Sequence, residues 1–338
     1  MRPIRIIPAI SLILAFFAAL IAFKATHWFW EDTAMPSTSL NTMAYRYHFV
    51  MIAHNTEETY WKQVHTGALS VARNADSALE YFSSRFLNLK ELERYLEMAI
   101  LSSVDGILIS IPNQPELTAL ITEAFTKEIP IVSLSNSLET HPRLSYVGIS
   151  AQNLGYQSGM ALKKAAVRKI RAAVLINSNF STESYQNYLH GFHRAIGSDS
   201  NIRLEMVVNS KGESISAEEQ TQQILKHHPH IQAIICTDPN DTLGVAKVVV
   251  DQNRVSQTLI IGCGLTEEIA NYIKREVIWG VLAEDPNELG AQGINTLIRL
   301  KTKNAEQEIY NLPLFWVDKS NVNQIYSKFS YTARRKNP

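Results

Sequence analysis

Gly106-Ile107-Leu108-Ile109-Ser110-Ile111 is a six-residue apolar run between two stretches that place apolar residues at helical spacing, Leu89–Leu101 and Glu116–Lys127. The run is too short for a buried helix, so this pattern predicts a buried strand between two helices. The same kinds of segment recur on both sides of it. The strand-like runs are Phe49–Ala53, Ile129–Leu134 and Tyr146–Ile149, and a further helical stretch is Trp61–Ala75. The first half of the chain is therefore predicted to be a βαβα cassette.

A second cassette follows with the same layout. Its helical stretches include Ser184–Ala195 and Glu218–Lys226, and its strand-like runs are Ala173–Ile176, Leu204–Val208, Ala233–Ile235, Leu259–Ile261 and Ile278–Leu282. Alternating strands and helices predict parallel sheets covered by helices on both faces, an α/β fold. In such sheets a ligand binds beyond the carboxyl ends of the strands, so the residues directly after each run are the candidates for a site.

Length and composition agree with two lobes. A chain of 338 residues exceeds what one hydrophobic core usually supports. The chain is 46% hydrophobic and 19% charged, which is typical of a globular protein and excludes extensive disorder. Its 32 basic and 32 acidic residues cancel, so it lacks the positive field that binding to nucleic acid requires.

The N-terminal segment predicts attachment to a membrane. Ile6 to Phe23 is an uncharged, mostly apolar run preceded by Arg2 and Arg5, with Trp28 and Trp30 after it. Such a run approaches the length needed to cross a bilayer, and the flanking charges place the bulk of the chain outside the cytoplasm. Residues 1–25 are interpreted as an uncleaved single-pass anchor, with a cleaved signal peptide as the alternative. Residues 26–45 are interpreted as a linker, and the absence of a cysteine after the run excludes a lipid anchor.

Other chemical signals are weak, and we expect no catalytic residues, metal or cofactor. His227-His228-Pro229-His230 is interpreted as a solvated loop and not as a metal site, because adjacent histidines cannot all face one ion. Gly262-Cys263-Gly264 lacks the third glycine of a dinucleotide motif. Cys236 and Cys263 follow two predicted strands, where a disulfide is conceivable, but free buried thiols are the simpler interpretation. No nucleophile, base and orienting group occur in a recognisable arrangement.

Several short motifs resemble the type I periplasmic sugar-binding proteins, the ribose- and galactose-binding receptors. The similarity runs in order from about residue 46 to 325. The motifs are Tyr60-Trp61-Lys62-Gln63-Val64-His65-Thr66-Gly67-Ala68, Tyr95-Leu96-Glu97-Met98-Ala99-Ile100, Val104-Asp105-Gly106-Ile107, Ile129-Pro130-Ile131-Val132, Tyr146-Val147-Gly148-Ile149 with Gly155, Gly191-Phe192, Leu243-Gly244, Gly262, and Asp285-Pro286-Asn287-Glu288-Leu289-Gly290. The resemblance implies two doubly wound parallel-sheet lobes joined by three hinge crossings, a fold that binds a solute and performs no reaction. It implies a first lobe of residues 46–150 plus 285–313, a second lobe of 151–284 plus 314–328, and a tail of 329–338.

The resemblance also implies a set of ligand-binding residues. A sugar needs an aromatic surface for its C–H faces and planar polar groups for its hydroxyls. Tyr60 and Trp61 occupy the family's position for stacking aromatics, with packing at the helix start as the alternative. The polar contacts implied are His54, Asn113, Asp238, Glu284 and Ser150. For Ser150 the alternative is that it serves only the hinge.

This chain departs from the family pattern at three positions. Gln186, Tyr188 and His190 stand where an arginine is usual, and Ser135 and Gly264 replace two aspartates. Losing these groups removes charge-assisted hydrogen bonds. Either the pocket binds a different ligand through neutral groups, with Gln186 and Tyr188 among them, or the domain now mainly binds protein. Retained binding of a sugar-like molecule is the preferred hypothesis.

The function expected from these features is that of an extracytoplasmic sugar sensor. A binding protein with its own membrane anchor resembles receptors that report a sugar to a membrane histidine kinase through lobe closure. The alternatives are a solute receptor of a sugar ABC transporter, whose partner is a permease, and a degenerate binding domain that acts as a protein-interaction module. The effector domain of a transcriptional regulator is disfavoured, since the apolar run stands in place of a helix-turn-helix.

Overall fold

The computed structural model describes residues 45–54, 58–84, 88–112, 114–135, 143–166, 169–177, 181–197, 199, 201–210, 214–303 and 307–334. Strands and helices alternate along the first part. They are β1 (Tyr47–His54), α1 (Glu58–Asn74), β2 (Ser77–Ser84), α2 (Leu89–Leu101), β3 (Gly106–Ser110), α3 (Pro115–Thr126), β4 (Ile131–Leu134) and β5 (Ser145–Gly148).

The second part repeats this alternation and then adds four terminal elements. It contains α4 (Ala151–Ala165), β6 (Ile170–Asn177), α5 (Thr182–Ile196), β7 (Ile202–Ser210), α6 (Ser214–His227), β8 (Ala233–Cys236), α7 (Pro239–Asp251), β9 (Leu259–Cys263), α8 (Glu267–Lys274) and β10 (Gly280–Ala283). The terminal elements are α9 (Pro286–Lys303), β11 (Ile309–Asn311), β12 (Phe315–Asp318) and α10 (Val322–Arg334).

Two six-stranded sheets with matching strand order define two lobes. The sheet of the first lobe has the order β2-β1-β3-β4-β5-β11, and that of the second lobe has β7-β6-β8-β9-β10-β12. All neighbouring strands are parallel except the edge strand β12, which runs antiparallel to β10. The predicted parallel-sheet lobes are confirmed, with this one antiparallel strand added at the edge of the second sheet. Each sheet is covered on both faces by buried apolar clusters, as expected for central strands such as β3, whose residues are all buried.

The chain passes between the lobes three times. It leaves β5 for α4, which packs on α5 of the second lobe, and it leaves β10 for α9, which packs on α1 of the first lobe. The third crossing joins β11 to β12, which belong to different sheets. Each crossing starts at the carboxyl end of a strand. In the first sheet these strands are β5 and β11, which run parallel to each other, and in the second sheet the strand is β10, which runs parallel to β9. The carboxyl ends of the two sheets therefore adjoin, and the space between them is called the cleft below.

Glycines let one pair of helices in each lobe pack with their backbones in contact. In the first lobe a methyl group at Gly67 would overlap the carbonyl oxygen of Asn287, and one at Gly290 would overlap that of Val64. In the second lobe a methyl group at Gly155 would overlap the carbonyl oxygen of Tyr188. These glycines belong to the motifs that carry the family resemblance, so their role is in helix packing.

The C-terminal region differs from the sequence prediction. Residues 329–338 were predicted to be a tail, but α10 continues to Arg334, and Phe329 is 2% exposed and packs against Phe315 with ring centroids 5.9 Å apart. The helix contacts α1 and α9 of the first lobe as well as α8 and β12 of the second lobe. It therefore lies across both lobes instead of belonging only to the second.

Two further predictions concern the membrane segment and the cysteines. Residues 1–25 and most of the linker lie outside the described residues, and no helix of the described part is long and apolar enough to cross a bilayer. Cys236 and Cys263 are both buried and free, in agreement with the simpler of the two interpretations.

Candidate functional site: the cleft between the lobes

Tyr60 and Glu284 meet in the cleft. The Tyr60 hydroxyl, from the first turn of α1, donates a hydrogen bond of 2.6 Å to Oε1 of Glu284, which directly follows β10. Both side chains remain partly accessible although protein surrounds them densely, as expected in a cleft. Burial raises the pKa of Glu284, and the Tyr60 hydrogen bond opposes this shift. Burial and then the Glu284 charge raise the pKa of Tyr60 well above its usual value, so the phenol stays a donor.

A second tyrosine ties the first crossing to the same lobe. The Tyr146 hydroxyl donates to the carbonyl oxygen of Ile149 at 2.9 Å, and it lies 3.4 Å from that of Ser135. Gly148 leaves room for this ring, because a methyl group there would overlap the Tyr146 hydroxyl. Tyrosine hydroxyls of the first lobe therefore form hydrogen bonds at two of the three crossings.

Two aspartates lie on the second-lobe side. Asp238 is the N-cap of α7, and its Oδ1 accepts a 2.8 Å hydrogen bond from the backbone N–H of Asn240. Asp241, in the first turn of the same helix, is fully buried. Burial and then the Asp238 charge raise the pKa of Asp241 to about 8, against a smaller lowering by the Ser210 hydroxyl.

His54 and Ser150 hold the other predicted polar positions. His54 ends β1, and burial lowers its pKa, which keeps the imidazole neutral at physiological pH. Its Nδ1 is buried and has no hydrogen-bond partner among the described residues. Ser150 is the N-cap of α4, where its Oγ accepts from the Asn153 backbone N–H at 3.3 Å, so its observed role is at the hinge.

The remaining predicted site residues are not brought to the cleft in the same way. Trp61 is 7% exposed and packs in the core of the first lobe, edge-on to Tyr60, which is the packing alternative stated for this pair. Tyr188 is fully buried in the core of the second lobe, stacked on Phe192. Gln186 is exposed on α5, and Asn113 lies outside the described residues. The burial of Trp61 and Tyr188 favours a packing role for both.

Sequence reasoning missed Tyr146 and Asp241. Tyr146 lies in the strand β5 two residues before its end, where a polar aromatic is a usable signal. Asp241 follows Asp238 by three residues, a spacing that places both on one face of a helix.

A separate surface depression lies at the opposite end of the second lobe. It has a volume of about 440 Å³ and is lined by residues that include Thr258, Trp279 and Lys319. Thr258 and Trp279 precede β9 and β10, so this depression is at the amino ends of the strands. The cleft at the carboxyl ends remains the candidate site, since ligands of open parallel sheets bind there and the Tyr60–Glu284 contact lies there.

Several known proteins to which this chain is similar are named for binding sugars. One is the D-allose-binding periplasmic protein of Escherichia coli (strain K12), 24% identical over 120 residues that make up 36% of this chain. The aligned part spans only 38% of that relative's length. The crystal structure of GanP, a glucose-galactose binding protein from Geobacillus stearothermophilus, is 28% identical with a TM-score of 0.74, covering 81% of this chain and 98% of that one.

A further solved structure is the XylFII-LytSN complex. It is 23% identical to this chain with a TM-score of 0.69, and the match covers 81% of this chain and 98% of the other. At this identity the match demonstrates a common fold. Residues 49–305 match the model of the periplasmic binding protein domain, which is more than half of the chain. With its two lobes, three crossings and this match, the chain belongs to the type I periplasmic sugar-binding protein family.

Proposed function

We propose that this protein is an extracytoplasmic receptor that binds a small sugar between its two lobes. The observation that carries the proposal is the convergence of Tyr60 from the first lobe with Glu284, which directly follows the second-lobe strand β10 at a crossing between the lobes. A phenol and a carboxylate in a narrow cleft supply the ring surface and planar polar groups that hold a sugar. The names of the D-allose-binding and glucose-galactose binding relatives support the same ligand class.

Ligand binding acts by shifting the lobes toward a closed form. A sugar that contacts the first lobe at Tyr60 and the second lobe at Asp238 has more contacts when the cleft is closed, so its extra affinity for that form drives the shift. The three crossings are the hinge. The hydroxyls of Tyr60 and Tyr146 form hydrogen bonds at two of these crossings. A ligand bound at Tyr60 therefore contacts a residue that is itself hydrogen-bonded to the hinge.

The proposal includes a membrane tether and a kinase partner. Residues 1–25, with Arg2 and Arg5 before the apolar run, are the anchor that keeps the lobes on the outer face. Lobe closure would then be reported to a membrane histidine kinase. The XylFII-LytSN complex supports this, because there a protein of the same fold assembles with a second protein.

A solute receptor of an ABC transporter is the second candidate, favoured by the similarity to a periplasmic protein of Escherichia coli. N-terminal sequencing of the protein recovered from its native membranes distinguishes the two. An intact N-terminus in the membrane fraction supports the tethered sensor. A mature chain that begins after the apolar run and is released by osmotic shock would refute the tether and favour the transport receptor.

The sugar itself is tested by thermal unfolding of the purified full-length chain. A panel of D-allose, D-glucose, D-galactose, D-xylose and D-arabinose should contain at least one sugar that raises the melting temperature with increasing concentration, because a ligand of the folded form stabilises it. Asp238→Ala should remove that response, whereas Glu276→Gln, at the exposed far end of the second lobe, should not. If no sugar of the panel shifts the transition, the proposed ligand class is wrong.

A further inference from the structure

Basic side chains meet at the amino end of the second sheet. A depression of about 610 Å³ lies there and is lined by Arg171, His230 and Arg254, together with neutral polar side chains that include Gln232 and Ser256. Arg171 is the second residue of β6, Gln232 directly precedes β8, and Arg254 lies in the segment between α7 and β9. None of the described residues that line the depression is acidic. We call this surface, at the opposite end of the sheet from the cleft, the basic depression.

Hydrogen bonds between neighbouring strands fix the floor of the basic depression. The backbone N–H of Gln232 donates to the Arg171 carbonyl oxygen at 2.9 Å, and the backbone N–H of Leu259 donates to the Gln232 carbonyl oxygen at 2.8 Å. The side-chain oxygen of Gln232 accepts the backbone N–H of Arg171 at 3.3 Å. The sheet therefore holds this floor in place, and less conformational freedom is lost when a ligand binds.

The guanidinium group of Arg254 is oriented by the protein but not saturated by it. Its Nη2 donates a 3.0 Å hydrogen bond to the carbonyl oxygen of Pro229, which also lines the basic depression. The buried Nε has no hydrogen-bond partner among the described residues. Since a guanidinium group has five N–H donors, Arg254 retains donors for a further acceptor.

Arg171 shares a carboxylate with a second arginine. Its Nη1 lies 3.6 Å from Oε1 of Glu205, and Nε of Arg203 lies 3.3 Å from the same oxygen. Both distances exceed the length of about 2.7–2.9 Å that is typical of a charge-assisted hydrogen bond. The Arg171 side chain is 52% exposed. One loosely held carboxylate therefore faces two guanidinium groups, and Arg171 can take up a further anion.

Helix ends explain only part of this concentration of positive charge. Positive side chains are favoured near helix C-termini, and His230 and Arg254 follow the ends of α6 and α7 at His227 and Asp251. Arg171 belongs to β6, so the helix dipoles do not account for its position. Basic side chains from three separate segments converge on one depression, which indicates a site for an anion.

We propose that the basic depression binds a phosphate group. A phosphate group presents oxygens in several directions and suits donors that arrive from different sides, whereas a planar carboxylate matches a single guanidinium fork. The donors here arrive from β6, from the loop before β8 and from the segment before β9. Inorganic phosphate and the phosphodiester of a lipid headgroup share this chemistry. The site is separate from the sugar cleft, which lies at the other end of the same strands.

The test is isothermal titration calorimetry on the purified full-length chain, in Tris chloride at pH 7.5 with an uncharged detergent. The probes are inorganic phosphate, glycerophosphoglycerol, which is the water-soluble headgroup of phosphatidylglycerol, and acetate. Inorganic phosphate should bind at one site per chain, more tightly than acetate by about tenfold or more, and its affinity should fall as sodium chloride is added. Glycerophosphoglycerol that binds as tightly as inorganic phosphate identifies a lipid headgroup as the source, and weaker binding identifies free phosphate. Either result supports the proposal.

Variants locate the site. Arg171→Gln and Arg254→Gln each remove one guanidinium group, so each should weaken phosphate binding about tenfold or more. Arg254→Lys retains the charge without the fork and should lose less affinity than Arg254→Gln. Arg73→Gln removes the same charge from an exposed position of α1 in the first lobe and should leave binding unchanged. Because Arg171 is half exposed, its variant keeps the proposal testable if Arg254→Gln does not fold.

Three results would overturn the proposal. The first is the absence of phosphate binding at millimolar concentrations, and the second is acetate binding as tightly as phosphate. The third is phosphate binding that persists in both glutamine variants, or that is lost in the cleft variant Asp238→Ala, since either would place the anion elsewhere. Phosphate binding that is retained in Asp238→Ala while the response to sugar is lost would support two independent sites.

Discussion

A carboxylate in a narrow cleft is stabilised mainly by the donors that face it, and for Glu284 the observed donor is the Tyr60 hydroxyl. Tyr60→Phe removes this donor, so we expect a destabilisation of about 1.5–3 kcal/mol at pH 8. Burial already raises the folded-state pKa of Glu284, and the lost hydrogen bond would raise it further. A carboxyl group whose pKa is raised by folding stabilises the folded form at pH values below its pKa in the unfolded chain. This contribution is lost as the pH rises through its pKa in the folded protein.

Urea unfolding of Tyr60→Phe should therefore show a larger loss of stability at pH 8 than at pH 4.5, where the carboxyl is partly protonated in both states. Tyr45→Phe is the matched control, because Tyr45 is 60% exposed and should tolerate the change at both pH values. A loss that is equal at both pH values would mean that the Tyr60 hydroxyl stabilises the cleft in a way that does not depend on the charge of Glu284.

Asp241 gives a second, independent pH effect. Its folded pKa of about 8 lies above the value of 3.8 for a free aspartate, so the folded state binds the proton more tightly and the stability falls as pH rises between these values. Asp241→Asn is neutral throughout, so it should stabilise the protein by an amount that grows by up to about 1.4 kcal/mol per pH unit in that window. Melting temperatures at pH 5 and pH 8 measure this, with the exposed Asp251→Asn on the same helix as control. A lower melting temperature for Asp241→Asn at pH 8 would contradict the prediction.

At the residue level, the sequence predicted which positions lie near the cleft better than it predicted which way each side chain points. The resemblance to the sugar-binding receptors implied Tyr60, Asp238 and Glu284 as site residues, in agreement with the rule that ligands bind at strand ends, and the structure brings these near one another. The resemblance did not separate Tyr60 from Trp61, because neighbouring helical residues point in directions about 100° apart and only the packed lobe decides which ring enters the core. The ligand role of the other predicted residues stays a prediction.

At the level of elements, close helix packing makes the motif glycines sensitive to the smallest substitution. Gly155→Ala would place a methyl group on the Tyr188 carbonyl oxygen, although alanine has the better helix propensity. We expect a net destabilisation of about 1–3 kcal/mol, measured by urea unfolding. Gln157→Ala, at an exposed position of α4, should be nearly neutral. An unchanged or raised stability for Gly155→Ala would show that the two helices can separate without cost.

The C-terminal helix α10 provides a second prediction at this level. Phe329 is 2% exposed, and its carbonyl oxygen accepts a 2.8 Å hydrogen bond from Nδ2 of the buried Asn287. Phe329→Ala should therefore cost about 3–5 kcal/mol of unfolding free energy. The exposed Gln324→Ala on the same helix should cost little. Equal stabilities for the two variants would restore the sequence-based interpretation of residues 329–338 as a tail.

The spacing of apolar residues predicted the central strands of both sheets, but it missed an edge strand and the C-terminal helix. The buried strands β1, β3, β4, β8 and β9 are short apolar runs with little ambiguity. The strand β2 was missed because Ser77–Ser84 lies at a sheet edge, where only partial burial is required and polar residues interrupt the pattern. The helix α10 was missed because its core contacts are few and depend on both lobes, which a local pattern does not record.

At the scale of the whole molecule, neither lobe is continuous in sequence. The edge strand β11 completes the first sheet and the adjacent β12 completes the second, although both lie beyond residue 305, where the match to the family model ends. The buried core of the first lobe includes Leu312, and that of the second includes Val317 and Val322. The last segment therefore stabilises both lobes at once, and it supplies the third crossing of the hinge.

This topology predicts that the family-model boundary is not a folding boundary. A chain that ends at Lys303 loses an edge strand from each sheet together with α10, so thermal unfolding followed by circular dichroism should lose its cooperative transition for both lobes. A chain that ends at Arg334 retains every described element and should melt as the full chain does. A cooperative transition near the full-length melting temperature for the chain ending at Lys303 would contradict the prediction. In that case the two lobes would fold without the third crossing, and the first two crossings would be the whole of the hinge.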